Sequence, residues 1–452
     1  MTRHFDLAIL GTGSGNSIPT DAMQDWSIAI IEPDVFGGTC LNRGCIPSKM
    51  FVHAADVAQT IKTAGTFGVR GTFEGADFPA IRDRVFGRID PIAAGGESYR
   101  RSQTNITVFD QPARFTGPRE LLIGSQSITA DRIVLAAGSR PYIPAIEGIE
   151  QVGYDTSDSI MRLDDLPARL TVIGGGAVAA EMAHIFDALG SSVTMILRSD
   201  RLLTGEEPEV GSALTDEFTR RGIDIRPMTK ALTATRTDDG IELTLTDDHK
   251  VTADVLLLAT GRTSNGDHLD LAAGGITADA FNRPLVDEYM RTNVEGVWAL
   301  GDLEAHHQDL KHIANAHAKA IRHNLVNPDR LIIPIVPNQP RATFTDPEVA
   351  SVGLLEAEAR AAGMSIRVGR RDYGGSAYGW ALEDTTSFAK VVIDDDTDLI
   401  LGAHIIGPMA SILIQPLIQA MTFGQTATQL ATHVVWPHPA LTEVVEQVLL
   451  EA

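Results

Sequence analysis

Cysteine is scarce in this chain: Cys40 and Cys45 are the two it has in 452 residues. A framework of structural disulfides is therefore excluded. A four-ligand zinc site, usually seeded by CxxC, has a poor start in one pair spaced by four residues. Positive charge is also short, with 37 Lys and Arg against 59 Asp and Glu and a formal net charge of −22. That balance argues against nucleic acid or an anionic membrane as partner, although local positive charge must still hold any anionic cofactor. No apolar run reaches the roughly 18 residues of a membrane-crossing helix. The N-terminal MTRHFDLAILGTGSG passes straight into a strand-like run without a signal-peptide cleavage pattern. A cytoplasmic protein is expected, where a cysteine pair is more often catalytic than structural. Low-complexity segments are absent too. What remains is an ordinary globular balance, 44% hydrophobic and 21% charged, long enough for two to four domains.

The two cysteines lie in GGTCLNRGCIPSK, Gly37 to Lys49. On an ideal helix five residue steps place two Cα atoms more than about 7 Å apart and turn the side chains to different faces. A disulfide needs roughly 4.4–6.8 Å. Closure thus requires a distorted backbone, and Gly37, Gly38 and Gly44 supply the freedom. A strained disulfide is easily reduced and more often catalytic than structural. On spacing alone a structural disulfide, a metal site and two unrelated thiols stay open. A helical pattern follows, with Met50, Phe51, Val57 and Ile61 as its expected buried face and His53 as a packing or surface residue.

Two strand–glycine turn units stand upstream and downstream. FDLAILGTGSGNS ends a strand in Gly11, Gly13 and Gly15, and the next strand, WSIAIIE, ends at Glu32, whose carboxylate suits a ribose hydroxyl. Asn16 occupies the usual third-glycine position and Pro19 follows, so a short or irregular first helix is expected. RLTVIGGGAVAAEM repeats the unit with Gly174, Gly176 and Ala179 in GxGxxA spacing. Its second strand ends VTMILRSDR, with Leu197 where an acid for a ribose diol is usual, and then Arg198 and Arg201. Arginines there suit the 2′-phosphate of NADPH. DRIVLAAGSRP, with Gly138, closes the first region, and VLLLATGR, with Gly261, closes the second. Further on come GD, at Gly301 and Asp302, and WPHPALTE, with His438 and Glu443. His306, His307, His312 and His317 cluster without a cysteine or an ordered carboxylate set, and no metal is expected.

Taken together these segments closely resemble the flavoprotein disulfide reductases, the family of glutathione reductase and dihydrolipoamide dehydrogenase, over the whole chain. The resemblance implies an α/β fold: two Rossmann-like dinucleotide-binding domains plus a C-terminal α+β dimerisation domain. The expected limits are 1–150 for FAD, 151–268 for NADPH, 269–335 for the return to the FAD domain and 336–452 for the interface. FAD contacts are implied at Gly11, Gly13, Gly15, Glu32, Gly38, Thr39, Gly138, Gly301 and Asp302. Nicotinamide-nucleotide contacts are implied at Gly174, Gly176, Arg198, Arg201 and Gly261. By the same resemblance Cys40 and Cys45 form the redox disulfide, with Cys45 facing the flavin and Cys40 attacking the substrate. Lys49 lies beside the flavin ring, paired with Glu181. His438 of the partner chain, held by Glu443, manages protons, so a homodimer with composite sites is implied. Ala177 replaces a bulkier residue over the nicotinamide pocket. GTGSGNS and YGGSAYGWALEDT look like the mycothione-reducing branch, so a small disulfide, mycothione, is the expected substrate. Dihydrolipoamide dehydrogenase or another thiol-disulfide reductase is the alternative. The missing further cysteines disfavour mercuric reductase and the larger thioredoxin reductases.

Overall fold

A computed structural model of the chain describes residues 2–305 and 309–452. It divides into two compact units, residues 1–48, 83–142 and 262–336 in one, and residues 49–82, 143–261 and 337–452 in the other.

The first unit is built on a seven-stranded sheet. Its parallel part runs Ile106–Phe109, Ile28–Ile31, Arg3–Leu10, Gln126–Leu135 and Val297–Ala299 in spatial order. An antiparallel extension, Ala113–Gly117 and Glu120–Ile123, hydrogen-bonds to the start of the long strand. Strands buried on both faces need apolar residues throughout, and Ile28–Ile31 reads IAII with every residue buried. Along Arg3–Leu10, Leu7 and Ile9 enter one core while Ala8 and Leu10 enter the other. Ser14–Ser17 is only a 3-10 turn, as Asn16 and Pro19 led us to expect. Asn16 is put to use there: Arg100 donates to its Oδ1 (2.8 Å) and its carbonyl (2.5 Å).

The second unit holds a four-stranded parallel sheet, Asp224–Arg226, Ser192–Ile196, Arg169–Ile173 and Val255–Leu258 in order. A three-stranded antiparallel sheet packs with it around Ile241, Leu243 and Leu245. Helix Ala177–Leu189 follows the glycine turn and buries Ala179, Ala180, Met182, Ala183 and Phe186; small residues let it lie close to its strand. The C-terminal part of this unit is a five-stranded antiparallel sheet that includes Phe388–Asp394 and Ile400–Ile406. It is covered by helices Gln415–Phe423, Ala427–His433 and Thr442–Leu450.

Helix Cys45–Thr63 corrects one expectation. Phe51 is buried, but Val57 is 51% and Ile61 37% exposed. The buried stripe is instead Phe51, Ala55 and Ala58, the i, i+4, i+7 positions of one face. Val57 and Ile61 sit six and ten steps from Phe51, on other faces. The Phe51, Phe78 and Phe186 rings stack in series at 5.6 and 5.7 Å, fastening this helix to Ala177–Leu189. No helix among the described residues is long and apolar enough to cross a membrane.

Candidate active site

Cys40 lies inside the short helix Gly38–Asn42, and Cys45 opens helix Cys45–Thr63. The break at Arg43 and Gly44 between the helices allows what one continuous helix forbids: the two thiols are in hydrogen-bonding contact. Cys40 is half-buried and Cys45 exposed. The hydrogen bond with Cys45, then burial, pushes the Cys40 thiol well up from its ordinary value, while the Lys311 ammonium acts in the opposite sense. Asn42 ties the turn down by donating to the carbonyls of Phe36 (2.8 Å) and Gly38 (3.1 Å).

The redox turn abuts the first glycine turn. Gly38 has φ +66°, and a Cβ there would lie 2.6 Å from the Gly13 Cα. Gly11 has φ +107°, and its Cβ would lie 2.3 Å from the Ala136 carbonyl oxygen. Between them Thr12, 1% exposed, makes three hydrogen bonds to two residues. Its N–H and hydroxyl both donate to Glu32 Oε2, at 2.9 and 2.7 Å, and its hydroxyl accepts from Gly37 N–H at 2.9 Å. Glu32 thus stands just past its strand, its carboxylate oriented by the turn. Lys311 donates to Ser14 Oγ at 2.9 Å.

Past the carboxyl ends of the neighbouring strands of the same sheet, Ser139 donates to Asp302 Oδ2 (2.7 Å) and accepts from Arg262 Nε (2.7 Å). Gly301 donates its N–H to Nδ1 of the buried His317 at 3.3 Å. Gly138 is open, with nothing within 4 Å of an added Cβ. Side-chain-free turns, a carboxylate at a strand end, nearby backbone N–H groups and local cations fit an adenine dinucleotide. The sequence reading had not singled out Thr12, Ser139 or Lys311. Their signal was adjacency: Thr12 sits inside GTGSG, Ser139 follows Gly138 and Lys311 begins the helix after GD.

The second glycine turn repeats the first. Gly174 has φ +137°, and its Cβ would lie 2.2 Å from the Ala259 carbonyl oxygen. Gly176 caps helix Ala177–Leu189, and both it and Gly261 are open. Leu197 is fully buried, so it offers nothing to a ribose; it packs beneath Gly175. Arg198 is exposed, and Arg201 pairs with Asp200 at 3.0 Å. Ala177 and Thr204 are exposed. In the same unit Lys49 Nζ lies 2.5 Å from Glu181 Oε2 and 4.4 Å from the Phe344 ring centroid. Glu181 is 8% exposed, and its Oε1 accepts from the Phe344 N–H at 3.0 Å.

His438 and Glu443 flank the start of helix Thr442–Leu450. His438 Nδ1 is 2.6 Å from Glu443 Oε1, and Glu443 Oε2 accepts from the Ala440 N–H at 3.3 Å. The bond to His438 holds the Glu443 carboxyl below the usual carboxylate range. His53 and His433 are exposed. Among the described residues no cluster of three His, Cys, Asp or Glu could hold a metal; His306 and His307 lie outside the described residues.

Residues 5–320 match the family described as pyridine nucleotide-disulphide oxidoreductase, and residues 339–449 match its dimerisation domain. The chain is 44% identical to mycothione reductase of Mycobacterium tuberculosis over 99% of both chains. It is 34% identical to mercuric reductase of Streptomyces lividans, covering 97% of this chain and 94% of that one. Its fold matches the HOCl-induced flavoprotein disulfide reductase RclA of Escherichia coli with a TM-score of 0.87 at 24% identity, covering 98% and 99% of the two chains.

Proposed function

The chain belongs to the pyridine nucleotide-disulphide oxidoreductase family, and from that we propose an NADPH-dependent, FAD-containing reductase of a low-molecular-weight disulfide, with mycothione as substrate. The observation that carries this reading is the contact of the Cys40 and Cys45 thiols on a turn packed against the first glycine turn. The identity to mycothione reductase along the full chain supports the substrate. The buried Leu197, with Arg198 and Arg201 beyond it, supports NADPH over NADH. We assign 1–150 and 269–335 to FAD, 151–268 to NADPH and 336–452 to the interface.

Bound FAD supplies the transfer of an electron pair from the nicotinamide nucleotide. The chain does the rest. The Cys40–Cys45 disulfide takes up two electrons and two protons and becomes a dithiol, with Cys45 facing the flavin. Cys40 then attacks one sulfur of the substrate disulfide, and the first thiol leaves with a proton from His438. Cys45 attacks the mixed disulfide, the second thiol leaves, and the Cys40–Cys45 bond re-forms. The thiolate, not the thiol, is the nucleophile, so Cys40 needs a base to attack near neutral pH. His438 provides that base, held by Glu443 and 71% exposed on its own chain, open to the cysteines of a partner in a homodimer. The Lys49–Glu181 pair sets the charge beside the flavin.

Side-by-side turnover of mycothione, glutathione disulfide, trypanothione and dihydrolipoamide, each with NADPH or NADH and their oxidised forms, tests this. Mycothione with NADPH is expected to be fastest. Faster turnover of dihydrolipoamide with NAD would assign the alternative instead, although Leu197 in place of an acid argues against it.

A further inference from the structure

Thr12 is nearly inaccessible, and its N–H and hydroxyl are both engaged. Two of its bonds end on one oxygen, Glu32 Oε2. The third reaches the N–H of Gly37, three residues before Cys40. Gly37 has φ +103° and opens the redox turn, so the direction of its N–H is part of that turn's shape. Next to it the Gly13 and Gly38 backbones touch without side chains between them. The hydroxyl of Thr12 is thus a single proton-sharing point between a carboxylate facing the dinucleotide and the backbone that carries the cysteines.

We propose that Thr12 is a positioning residue that couples the hold on the adenosine end of FAD to the redox state of the Cys40–Cys45 turn. Closing the disulfide changes the short Gly38–Asn42 helix and hence the Gly37 N–H. That N–H shares the Thr12 oxygen whose proton is given to Glu32. A shift on one side changes the other, because hydrogen bonds in a chain polarise one another. A bond to a charged acceptor is strong enough for its loss to be visible in binding. The coupling is reciprocal: whatever FAD binding does to the turn, the turn does to FAD binding.

The inference rests on reading the first glycine turn as the FAD site and the cysteines as a redox pair. The test uses holoenzyme, either with the disulfide intact or after two-electron reduction by dithiothreitol, and follows release of FAD by flavin fluorescence. In wild type the two states are expected to release FAD at rates differing by about fivefold or more, the lower range of ordinary coupling. Thr12→Val keeps the shape and removes the hydroxyl. It should release FAD about tenfold faster, and the difference between the two states should collapse. Thr12→Ser should restore both properties, which a merely space-filling residue would not show. If Thr12→Val does not yield folded protein, Thr12→Ala is compared with Thr12→Ser in the same way. Equal release rates in the two wild-type states would overturn the proposal. So would a Thr12→Val enzyme that keeps the wild-type ratio. A wild-type protein that binds no FAD, or whose thiols never pair, fails the underlying assignment instead and is recognised before any variant is made.

Discussion

His438 places its Nδ1 2.6 Å from Glu443 Oε1, while Glu443 itself is only 13% exposed. The imidazole is presented outward and its carboxylate is kept inward. The carboxylate fixes which ring nitrogen is left for chemistry. Glu443→Gln is therefore expected to lower kcat with mycothione by about 10²-fold while leaving FAD content unchanged. The pH dependence has a definite sign. A carboxyl held below its ordinary value contributes stability above that value and loses it as pH falls through the lowered one. The melting-temperature difference between wild type and Glu443→Gln should be full at neutral pH and close as pH drops below about 4.3, the ordinary glutamate value. A difference that grows on acidification would contradict the pairing.

The assignment of His438 to the partner's cysteines is tested by symmetry. Cys40→Ser and His438→Ala homodimers should each be nearly inactive. A doubly tagged heterodimer carries one site lacking both groups and one intact site, and should recover roughly half of wild-type activity per dimer. An inactive heterodimer, beside an active wild type purified in the same way, would sink the shared site.

Arg198 and Arg201 are not equivalent. Arg198 is exposed, whereas Arg201 already faces Asp200 at 3.0 Å. Arg198→Ala should raise the KM for NADPH about tenfold and leave that for NADH alone. Arg201→Ala should do less, since Asp200 competes for its charge. Asp200→Asn should lower the NADPH KM. Parallel changes with both nucleotides would remove the arginines from 2′-phosphate recognition.

Two glycines make a paired comparison. Gly38→Ala imposes a left-handed φ on alanine and drives a Cβ to 2.6 Å from Gly13. It should abolish FAD retention. Gly176→Ala has φ −82° and open space around it, so the folded protein should keep its FAD and its melting temperature within a few degrees. Absorbance at the flavin band after gel filtration, together with calorimetry, reads both.

Much of this was legible in the chain itself, for uneven reasons. The glycine turns are readable because a backbone that must touch another backbone tolerates no side chain, as Gly11 and Gly38 show. The irregular start after Gly15 was legible from Asn16 and Pro19. The buried face of helix Cys45–Thr63 was misjudged at Val57 and Ile61 because apolarity was read without weighing Ala55 and Ala58, which give close packing more than they give hydrophobicity. Thr12 and Ser139 escaped notice because their partners, Glu32 and Asp302, are 20 and 163 residues away. No local pattern encodes such a bond.

Gly11 and Gly174 each stand against the carbonyl just past the end of a neighbouring strand, with 2.3 and 2.2 Å left for any Cβ. Neither position can accept a side chain in one mutational step without displacing a strand of its own sheet. Arg198, just past the strand end, faces no such barrier. Inheritance therefore acts differently on the two parts of a nucleotide site. The anchor is frozen by its own scaffold, while the edge proposed to tell one nicotinamide nucleotide from the other is free to drift. On the proposed assignment, the choice of nicotinamide nucleotide can change at Arg198 while Gly174 keeps the turn that would grip the pyrophosphate.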